Sequence, residues 1–345
     1  MAQRESPVTE MGQISGAAAR GVGRMSDDSR IDIVLAAYNG AAFIEAQIES
    51  LLAQTHRDWR LLIRDDGSTD ATPAIIGALQ QRYPEKISVI EDDRGNLGFV
   101  GNFSCLLEHA TADYVAFCDQ DDVWKPEKLA ASLAEMHALE ARHGAGTPLL
   151  VFTDTAVVDR SLKLLSDSAW HYQYMDPKSC GRLNRALIQN VVTGCTVLIN
   201  AALKARAIPI PASAYAHDWW IALVASAFGA VSYVDKAMVY YRQHDEHAIG
   251  VRLFRLTSIP RLARDFLAQF AANRAQKLRR FAQGAAFLER FADLLTGEQR
   301  RLVGVFAAVP RANLPMRAYY FYRYGFLTKS FTRNALLILL SRQAP

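Results

Sequence analysis

Apolar runs and segments with helical spacing alternate along the first part of the chain. The runs that predict strands lie at 31–37, 59–63, 87–90 and 114–117. The segments that predict helices lie at 41–54, 70–83 and 99–109. This alternation predicts an α/β fold, with a mostly parallel sheet that is flanked by helices on both faces.

The pattern is mixed in the second half of the chain. Predicted strands lie at 149–156 and 196–199, a predicted helix at 218–228, and a predicted pair of strands at 231–234 and 237–241. Beyond Val251 the spacing is purely helical, with Leu262, Phe266 and Phe270 on one face.

The chain therefore divides into three predicted regions. Residues 1–29 are rich in Gly, Ala, Ser and Arg without periodicity, which predicts a disordered N-terminal extension. Met25 is a candidate internal start. Residues 30–250 form the predicted α/β domain, and residues 251–345 form a basic helical C-terminal region.

Cysteine usage and hydropathy bear on the compartment. The four cysteines form no CxxC pair and no zinc-binding spacing, so we expect reduced thiols in a cytoplasmic protein. No run approaches the ~18 apolar residues of a membrane-spanning helix. The N-terminus also lacks the apolar segment of a secretory signal.

Charge is distributed unevenly between the two parts of the chain. Residues 251–345 contain 17 Lys and Arg against 4 Asp and Glu, whereas the preceding residues contain 22 against 31. An acidic front part is consistent with a site that holds metal ions. A basic, aromatic-rich C-terminal part favours an anionic partner.

Two acidic clusters follow predicted strands. Asp65 and Asp66 come after the second strand, and the sequence Asp119-Gln120-Asp121-Asp122 comes after the fourth. Ligands of such sheets bind at the carboxyl edge, and buried carboxylates there need a positive partner. A divalent cation that also binds phosphate oxygens is such a partner, so the clusters predict a nucleotide-diphosphate site.

Individual carboxylates in these clusters have different predicted roles. Asp121 is the predicted metal ligand and Asp119 its companion, and Asp66 is predicted to accept hydrogen bonds from a nucleoside. Structural alternatives stay open: an acidic loop that caps the next helix, Asp122 as a loop-holding residue, and Asp70 as a helix cap.

These motifs resemble the family 2 inverting glycosyltransferases with the GT-A fold. The matching residues are Tyr38-Asn39, Glu45, Asp65-Asp66-Gly67-Ser68 and Asp119-Gln120-Asp121-Asp122, and the resemblance covers about residues 31–250. The finer features resemble the bacterial rhamnosyltransferase branch; they are the Asp119–Trp124 motif, Asn96-Leu97-Gly98 with Asn102, and Tyr241-Arg242-Gln243-His244.

The resemblance implies roles for individual residues. Tyr38, Glu45, Asp66, Asn102, Asp119 and Trp219 would bind the nucleotide-sugar, while Asp121 and His244 would bind Mg²⁺ or Mn²⁺. Asp218 would be the general base that takes a proton from the acceptor hydroxyl. Its position at a helix start also fits an N-cap. His217, Trp219 and Trp220 would line an aromatic wall for a sugar, and His247 stands where the branch has an asparagine.

The implied function is transfer of one sugar with inversion at the anomeric carbon. The expected donor is dTDP-L-rhamnose, and the expected acceptor is a hydroxyl of a lipid-linked or oligosaccharide substrate. The alternatives are a UDP- or GDP-sugar transferase of the same fold, a nucleotidylyltransferase, and a non-catalytic carbohydrate- or membrane-binding protein. The nucleotidylyltransferase should carry a Gly-rich phosphate loop, and the stretch 36–40 does not fit one.

The basic C-terminal region has two interpretations. Its helices either lie on an anionic membrane, which would make the protein peripheral at the inner membrane face, or pack on the catalytic domain with a solvated basic face. No nucleic-acid-binding module accompanies the charge, so nucleic acid is not an expected partner.

Overall fold

The computed structural model describes residues 29–243 and 278–342. Its strands are β1 (Ile31–Ala37), β2 (Trp59–Asp65), β3 (Ile87–Val89), β4 (Tyr114–Asp119), β5 (Val123–Trp124), β6 (Leu149–Val158), β7 (Leu164–Ser166), β8 (Leu198–Asn200) and β9 (Ala230–Arg242). Its helices are α1 (Ile44–Leu52), α2 (Thr72–Arg82), α3 (Gly98–His109), α4 (Lys128–His143), α5 (Ala169–Tyr172), α6 (Leu183–Ile188), α7 (Ala201–Ala207), α8 (His217–Phe228), α9 (described over 278–291), α10 (Gly297–Ala308), α11 (Leu314–Tyr324) and α12 (Phe331–Leu340).

Several predictions lie outside the described residues. These are the disordered N-terminal extension, the roles of His244 and His247, and the shared face of Leu262, Phe266 and Phe270. The boundary between the catalytic and C-terminal regions also lies there and stays a prediction.

The strands form one sheet in the order β3-β2-β1-β4-β8-β6-β9-β5, with β7 paired to β6. The strands β3, β2, β1 and β4 are parallel, as the alternation of strands and helices predicts. β6 is buried along its whole length and runs parallel to β9, which explains its continuous apolar sequence. The predicted α/β fold is confirmed.

One prediction in this region is wrong. The residues expected to form two strands at 231–234 and 237–241 belong to the single strand β9. Asp235 and Lys236 interrupt the apolar pattern like a turn. In the pairing of β9 with β6 these two residues have no partner: Val234 pairs with Thr153, and the next pair is Ala237 with Asp154. An irregularity of this kind lets a strand continue past polar residues.

Two apolar cores cover the two faces of the sheet. One core contains residues of α1, α2 and α4, and the other contains residues of α3, α6, α8 and the C-terminal helices. Phe287 and Phe291 of α9 pack on Trp220 of α8, with ring centroids 5.6 and 5.9 Å from it. The described C-terminal helices therefore continue the core of the sheet domain. None of the helices in the described ranges is both long enough and apolar enough to cross a membrane.

Candidate active site

Strand register brings the polar clusters of the sequence to one edge of the sheet. Ala37 of β1 pairs with Asp65 of β2, and Ala36 pairs with Asp119 of β4. All three strands end at these residues and run in the same direction, so the loops that follow them meet at the carboxyl edge. The juxtaposition expected from the sequence is thus present.

The loop after β1 is held against the acidic loop by the side chain of Gln120. The Tyr38 N–H donates to Gln120 Oε1 at 2.9 Å, and Gln120 Nε2 donates to the Tyr38 carbonyl at 2.9 Å. A Cβ on Gly40 would lie 2.2 Å from Gln120 Oε1, so only glycine leaves room for this amide. Tyr38 is 49% exposed at this edge of the sheet, so its side chain is accessible to a ligand.

Asp66 lies in a buried network whose centre is Arg64. Arg64 Nη1 donates to Asp66 Oδ1 at 2.6 Å, and its Nε and Nη2 donate to the two oxygens of Asp92 at 2.8 and 2.9 Å. The N–H of Leu97 donates to the same Asp66 oxygen at 2.8 Å. Asp66 Oδ2 accepts no hydrogen bond from the described residues, so this oxygen keeps the capacity to accept one from a ligand.

Asn102 belongs to the same network and is only 2% exposed. Its Nδ2 donates to the Arg64 carbonyl at 3.2 Å, and its Oδ1 accepts from Arg64 Nη1 at 3.4 Å. Asn102 is therefore connected to Asp66 through Arg64. Sequence reasoning missed Arg64, although a cation between the apolar run Leu61–Ile63 and two acids was the available signal.

The other acids of the second loop are structural. Asp65 accepts from the N–H of Ser68 at 2.9 Å and closes its own turn. Asp70 accepts from the N–H groups of Ala41 and Thr72, at 3.1 and 3.0 Å, and links the first two loops. Ala71 stands at the N-cap position of α2, but the Asp70 carboxylate, one residue earlier, accepts from the N–H of Thr72, the first residue of the helix.

The acidic loop after β4 is attached to the end of β9 through Arg242. The Arg242 N–H donates to Asp122 Oδ1 at 3.1 Å, and Arg242 Nε donates to the Asp121 carbonyl at 2.8 Å. Asp122 is fully buried, in line with the loop-holding alternative. Burial, and then the charges of Asp121 and Asp119, raise the pKa of Asp122 well above its usual range.

Asp119 connects the acidic loop electrostatically to Asp218. Burial raises the pKa of Asp119 to about 8, and the charges of Asp121 and Asp218 add to this rise. Like charges act on one another in this way only when they lie close together. The geometry agrees: a Cβ on Gly194 would lie 3.6 Å from Asp218 Cβ, and the ligand atoms of the next residue, Cys195, and of Asp119 lie within 4.8 Å of each other. Asp119 and Asp218 therefore lie at one site, although they are 99 residues apart in the chain.

Carboxylates crowded in this way suit a divalent cation, which relieves their repulsion. Mg²⁺ and Mn²⁺ take oxygen ligands, and the carboxylates of Asp119 and Asp121 are of that type. Among the described residues, the ligand atoms of Asp119, Asp122 and Cys195 also lie within 4.8 Å of one another. A thiol is a poor ligand for Mg²⁺, so the carboxylates of Asp119 and Asp121 suit this ion better than a group that includes Cys195.

Asp218 lies in the first turn of α8, next to the short 3₁₀ segment Gly194–Thr196. It is not an N-cap, because Ala216 occupies that position, and Asp218 Oδ1 accepts from the adjacent Trp219 N–H at 2.6 Å. Burial raises the pKa of Asp218 to about 7, while contacts with Trp219, Gly194 and Asn190 act in the opposite direction. A carboxylate with such a pKa suits general base catalysis near neutral pH.

The residues around Asp218 do not form the expected aromatic wall. Trp219 is 5% exposed and donates through Nε1 to the Ala186 carbonyl, and Trp220 is fully buried and donates to Ala207. His217 is stacked on Phe103, with ring centroids 3.8 Å apart. These rings belong to the core, because the apolar face of α8 is turned toward the C-terminal helices.

Glu45 has a different position from the other predicted site residues. It is exposed in the first turn of α1 and makes no hydrogen bond or ion pair in the described part of the chain. Contact between Glu45 and the nucleotide-sugar donor stays a prediction.

The comparison with known families agrees with this site. The model of glycosyl transferase family 2 matches residues 32–204, which include β1, β2, β4 and both acidic clusters. The chain belongs to glycosyl transferase family 2. The carboxyl-edge site on a mostly parallel sheet is that of a GT-A glycosyltransferase fold, as the motifs predict.

Individual relatives cover different parts of the chain. The uncharacterized glycosyltransferase alr2836 of Nostoc sp. is 44% identical over 100 residues, which are 29% of this chain and 30% of that protein. The dTDP-rhamnosyl transferase RfbG of Shigella flexneri is 25% identical over 223 residues, 64% of this chain and 74% of RfbG. The crystal structure of S. aureus TarS 1-349 in complex with UDP-GlcNAc is 17% identical, covers 90% of each chain and has a TM-score of 0.49. The chain spans 30%, 48% and 59% of the length of three curated relatives.

Proposed function

We propose that this protein is an inverting glycosyltransferase that moves one sugar from a nucleotide-sugar to an acceptor hydroxyl. The observation that carries the proposal is that Asp119, at the carboxyl end of β4, and Asp218, in the first turn of α8, both lie next to the Gly194–Cys195 segment. One carboxylate with a pKa near neutrality stands beside carboxylates suited to a cation. This pairing provides for both halves of the reaction, proton removal and departure of a diphosphate.

Asp218 acts on the acceptor. A hydroxyl is a weak nucleophile until its proton is removed, and the Asp218 carboxylate accepts that proton as the oxygen attacks the anomeric carbon. Attack from the side opposite the leaving group inverts the anomeric configuration. The N-terminal end of α8 stabilises the negative form of Asp218 before the proton arrives.

Asp119 and Asp121 act on the donor side. We propose that they hold Mg²⁺ or Mn²⁺, with His244 as a further ligand; the cation, when bound, neutralises charge on the departing diphosphate. Tyr38 provides an exposed ring for the base, and Asp66 Oδ2 accepts from the nucleoside. Gln120 holds the backbone of Tyr38 in place, and Arg64 holds the carboxylate of Asp66.

We propose dTDP-L-rhamnose as the donor. The support is the motif set of the rhamnosyltransferase branch together with the 25% identity to a dTDP-rhamnosyl transferase over 64% of this chain. Another UDP- or GDP-sugar is the alternative.

We further propose that the acceptor is lipid-linked or oligosaccharide, and that α11 and α12 rest on an anionic membrane. Residues 299–345 contain eight Lys and Arg and no Asp or Glu. On these two helices Tyr319, Tyr322, Phe331 and Leu339 are 55%, 60%, 77% and 55% exposed. Exposed aromatic rings beside uncompensated positive charge suit the interface of an anionic bilayer.

The reaction is tested by the release of nucleoside diphosphate from dTDP-rhamnose, UDP-glucose, UDP-galactose and GDP-mannose. Each donor is incubated with Mg²⁺, Mn²⁺ or EDTA and a membrane glycolipid extract, with wild-type protein and Asp121→Ala. Metal-dependent release from one donor, lost in the variant, supports the proposal and identifies the nucleotide. No release from any donor, together with no nucleotide binding in calorimetry, would favour the non-catalytic binding protein.

A further inference from the structure

An exposed arginine follows the strand β6 at the carboxyl edge of the sheet. Arg160 lies two residues after Val158, the last residue of this strand. β6 runs in the same direction as β4, because β8 is antiparallel to both strands. The end of β6 therefore lies toward the edge at which β1, β2 and β4 end, so Arg160 is on the same side of the sheet as the acidic clusters.

Hydrogen bonds connect the backbone of Arg160 to the acidic loop. The guanidinium of Arg242 donates through Nη1 to the Arg160 carbonyl. The same guanidinium donates through Nε to the Asp121 carbonyl at 2.8 Å. One planar group therefore binds both carbonyls, which places the backbone of Arg160 close to that of Asp121, the proposed metal ligand.

The side chain of Arg160 is oriented by the ring of Phe43. Arg160 Cζ lies 5.2 Å from the centroid of this ring, and Arg242 Cζ lies 4.9 Å from the same centroid. Phe43 directly precedes α1, and its N–H donates at 2.9 Å to the carbonyl of Gly40 in the loop after β1. The guanidinium of Arg160 therefore lies beside the loop after β1, while its backbone is attached to the acidic loop after β4.

The charge of Arg160 is not neutralised by an acidic side chain. Its guanidinium donates no hydrogen bond and forms no ion pair within residues 29–243 and 278–342, and the residue is exposed. The adjacent Asp159 closes its own turn instead, because it accepts from the N–H groups of Ser161 and Lys163 at 2.8 and 3.0 Å. An aromatic ring orients a guanidinium but adds no negative charge, so Arg160 keeps its capacity to bind an anion that a ligand brings.

We propose that Arg160 binds the diphosphate of the donor, at the phosphate that is bonded to the sugar. This inference rests on the sugar transfer proposed above. The planar guanidinium matches two phosphate oxygens at once, and the N-terminal end of α1, which Phe43 precedes, also favours phosphate. When the bond between the anomeric carbon and the phosphate oxygen breaks, its electron pair stays on that oxygen. The acceptor oxygen forms the new bond and gives its proton to Asp218, while Arg160 stabilises the charge on the departing diphosphate.

The experiment is calorimetric binding of dTDP, UDP and GDP, and of the three matching monophosphates, to the full chain with Mg²⁺ and with EDTA. The proteins are wild type, Arg160→Met, Arg160→Lys and Lys163→Met. We expect Arg160→Met to raise the Kd of the diphosphate that wild type binds by about ten- to a hundredfold and to leave the Kd of its monophosphate unchanged. Arg160→Lys should recover only part of the loss. Lys163→Met, which removes the same charge from the same exposed turn, should change neither Kd.

Three results would overturn the inference, and they separate it from the proposed reaction. An unchanged diphosphate Kd in Arg160→Met, with its fold checked by circular dichroism, would overturn the role of Arg160 alone. Equal losses for diphosphate and monophosphate would do the same, because they would show a general effect of positive charge and no contact with the second phosphate. Wild-type protein that binds none of the three diphosphates would overturn the sugar transfer together with the role of Arg160.

Discussion

The side-chain amide of Gln120 pairs with both backbone polar groups of Tyr38, at 2.9 Å in each direction. This pairing joins the loop that presents the exposed ring of Tyr38 to the loop that carries Asp119 and Asp121. The two loops come from the adjacent strands β1 and β4, whose register alone leaves the loop conformations open. Gln120 therefore fixes the loop after β1 relative to the acidic loop after β4.

Loss of this pairing should weaken donor binding. Gln120→Leu removes both hydrogen bonds, and Gly40→Ala places a methyl group 2.2 Å from Gln120 Oε1. A hydrogen bond contributes about 0.5–1.5 kcal/mol net, so we expect the donor KM to rise about tenfold in either variant with a smaller effect on kcat. Gly77→Ala, where a Cβ meets nothing within 4 Å, is the matched control. Unchanged donor KM in both variants would contradict the role of Gln120.

Asp218 should determine the acid limb of the pH–rate profile. Its pKa is raised to about 7, so the base is increasingly protonated below that pH and kcat/KM falls up to tenfold per pH unit. Asp218→Asn should lower kcat by about 10²–10⁴-fold with little change in donor binding. The control is Asp293→Asn, at an exposed position. An Asn variant with near-normal kcat would exclude Asp218 as the base.

The same substitution should raise stability at alkaline pH. A carboxylate whose folded pKa lies above its unfolded value near 3.8 contributes stability that is present below about pH 4 and is lost as pH rises through about 7. Asn cannot ionise, so we expect Asp218→Asn to melt at a higher temperature than wild type at pH 8 and to lose this advantage at pH 4. Thermal unfolding without metal or donor at both pH values measures the effect. Equal melting temperatures at pH 8 would argue against a strained carboxylate.

Arg64 should contribute far more to stability than Arg94, a more exposed arginine that also forms an ion pair. Its side chain is 3% exposed and pairs with Asp66 and Asp92, so Arg64→Met leaves two carboxylates without a cationic partner. Removing one partner of a buried ion pair costs about 3–5 kcal/mol. Arg94→Met breaks an ion pair with Glu108 whose side chains are 48% and 37% exposed, for which about 0–1 kcal/mol is expected. Urea unfolding compares the two, and similar losses would show that the network is not the stabilising element.

The exposed face of α11 and α12 should bind anionic vesicles. Burial of a phenylalanine in an apolar environment contributes about 1.5–3 kcal/mol, so Phe331→Ser with Tyr322→Ser should lower binding at least tenfold. Flotation with phosphatidylglycerol-containing vesicles measures this, and phosphatidylcholine vesicles test the need for negative charge. Leu294→Ser, 60% exposed in the turn between α9 and α10, is the control. Binding that survives the double substitution would assign membrane contact, if any, to another surface.

The sequence was sufficient where local pattern and chain direction decide the result. The apolar runs of β1, β2, β4 and β6 predict strands, and parallel strands must end at a common edge, so Asp65 and Asp119 could be placed together without coordinates. The motifs around Tyr38 and Asp119 also identified the family, because each motif lies within one short segment of fixed local geometry.

Tertiary structure decided what depends on contacts between distant segments. Burial of Trp219 and Trp220 results from packing by α9, which spacing along α8 cannot reveal, since an aromatic side chain suits a sugar site and a core equally well. The continuity of β9 past Asp235 was decided by its pairing with β6. The proximity of Asp218 to Asp119 and the network of Arg64 likewise arise only when the sheet brings separate strands together. Charges and hydrogen bonds act through space, so sequence supplies the groups, and the fold decides which of them interact.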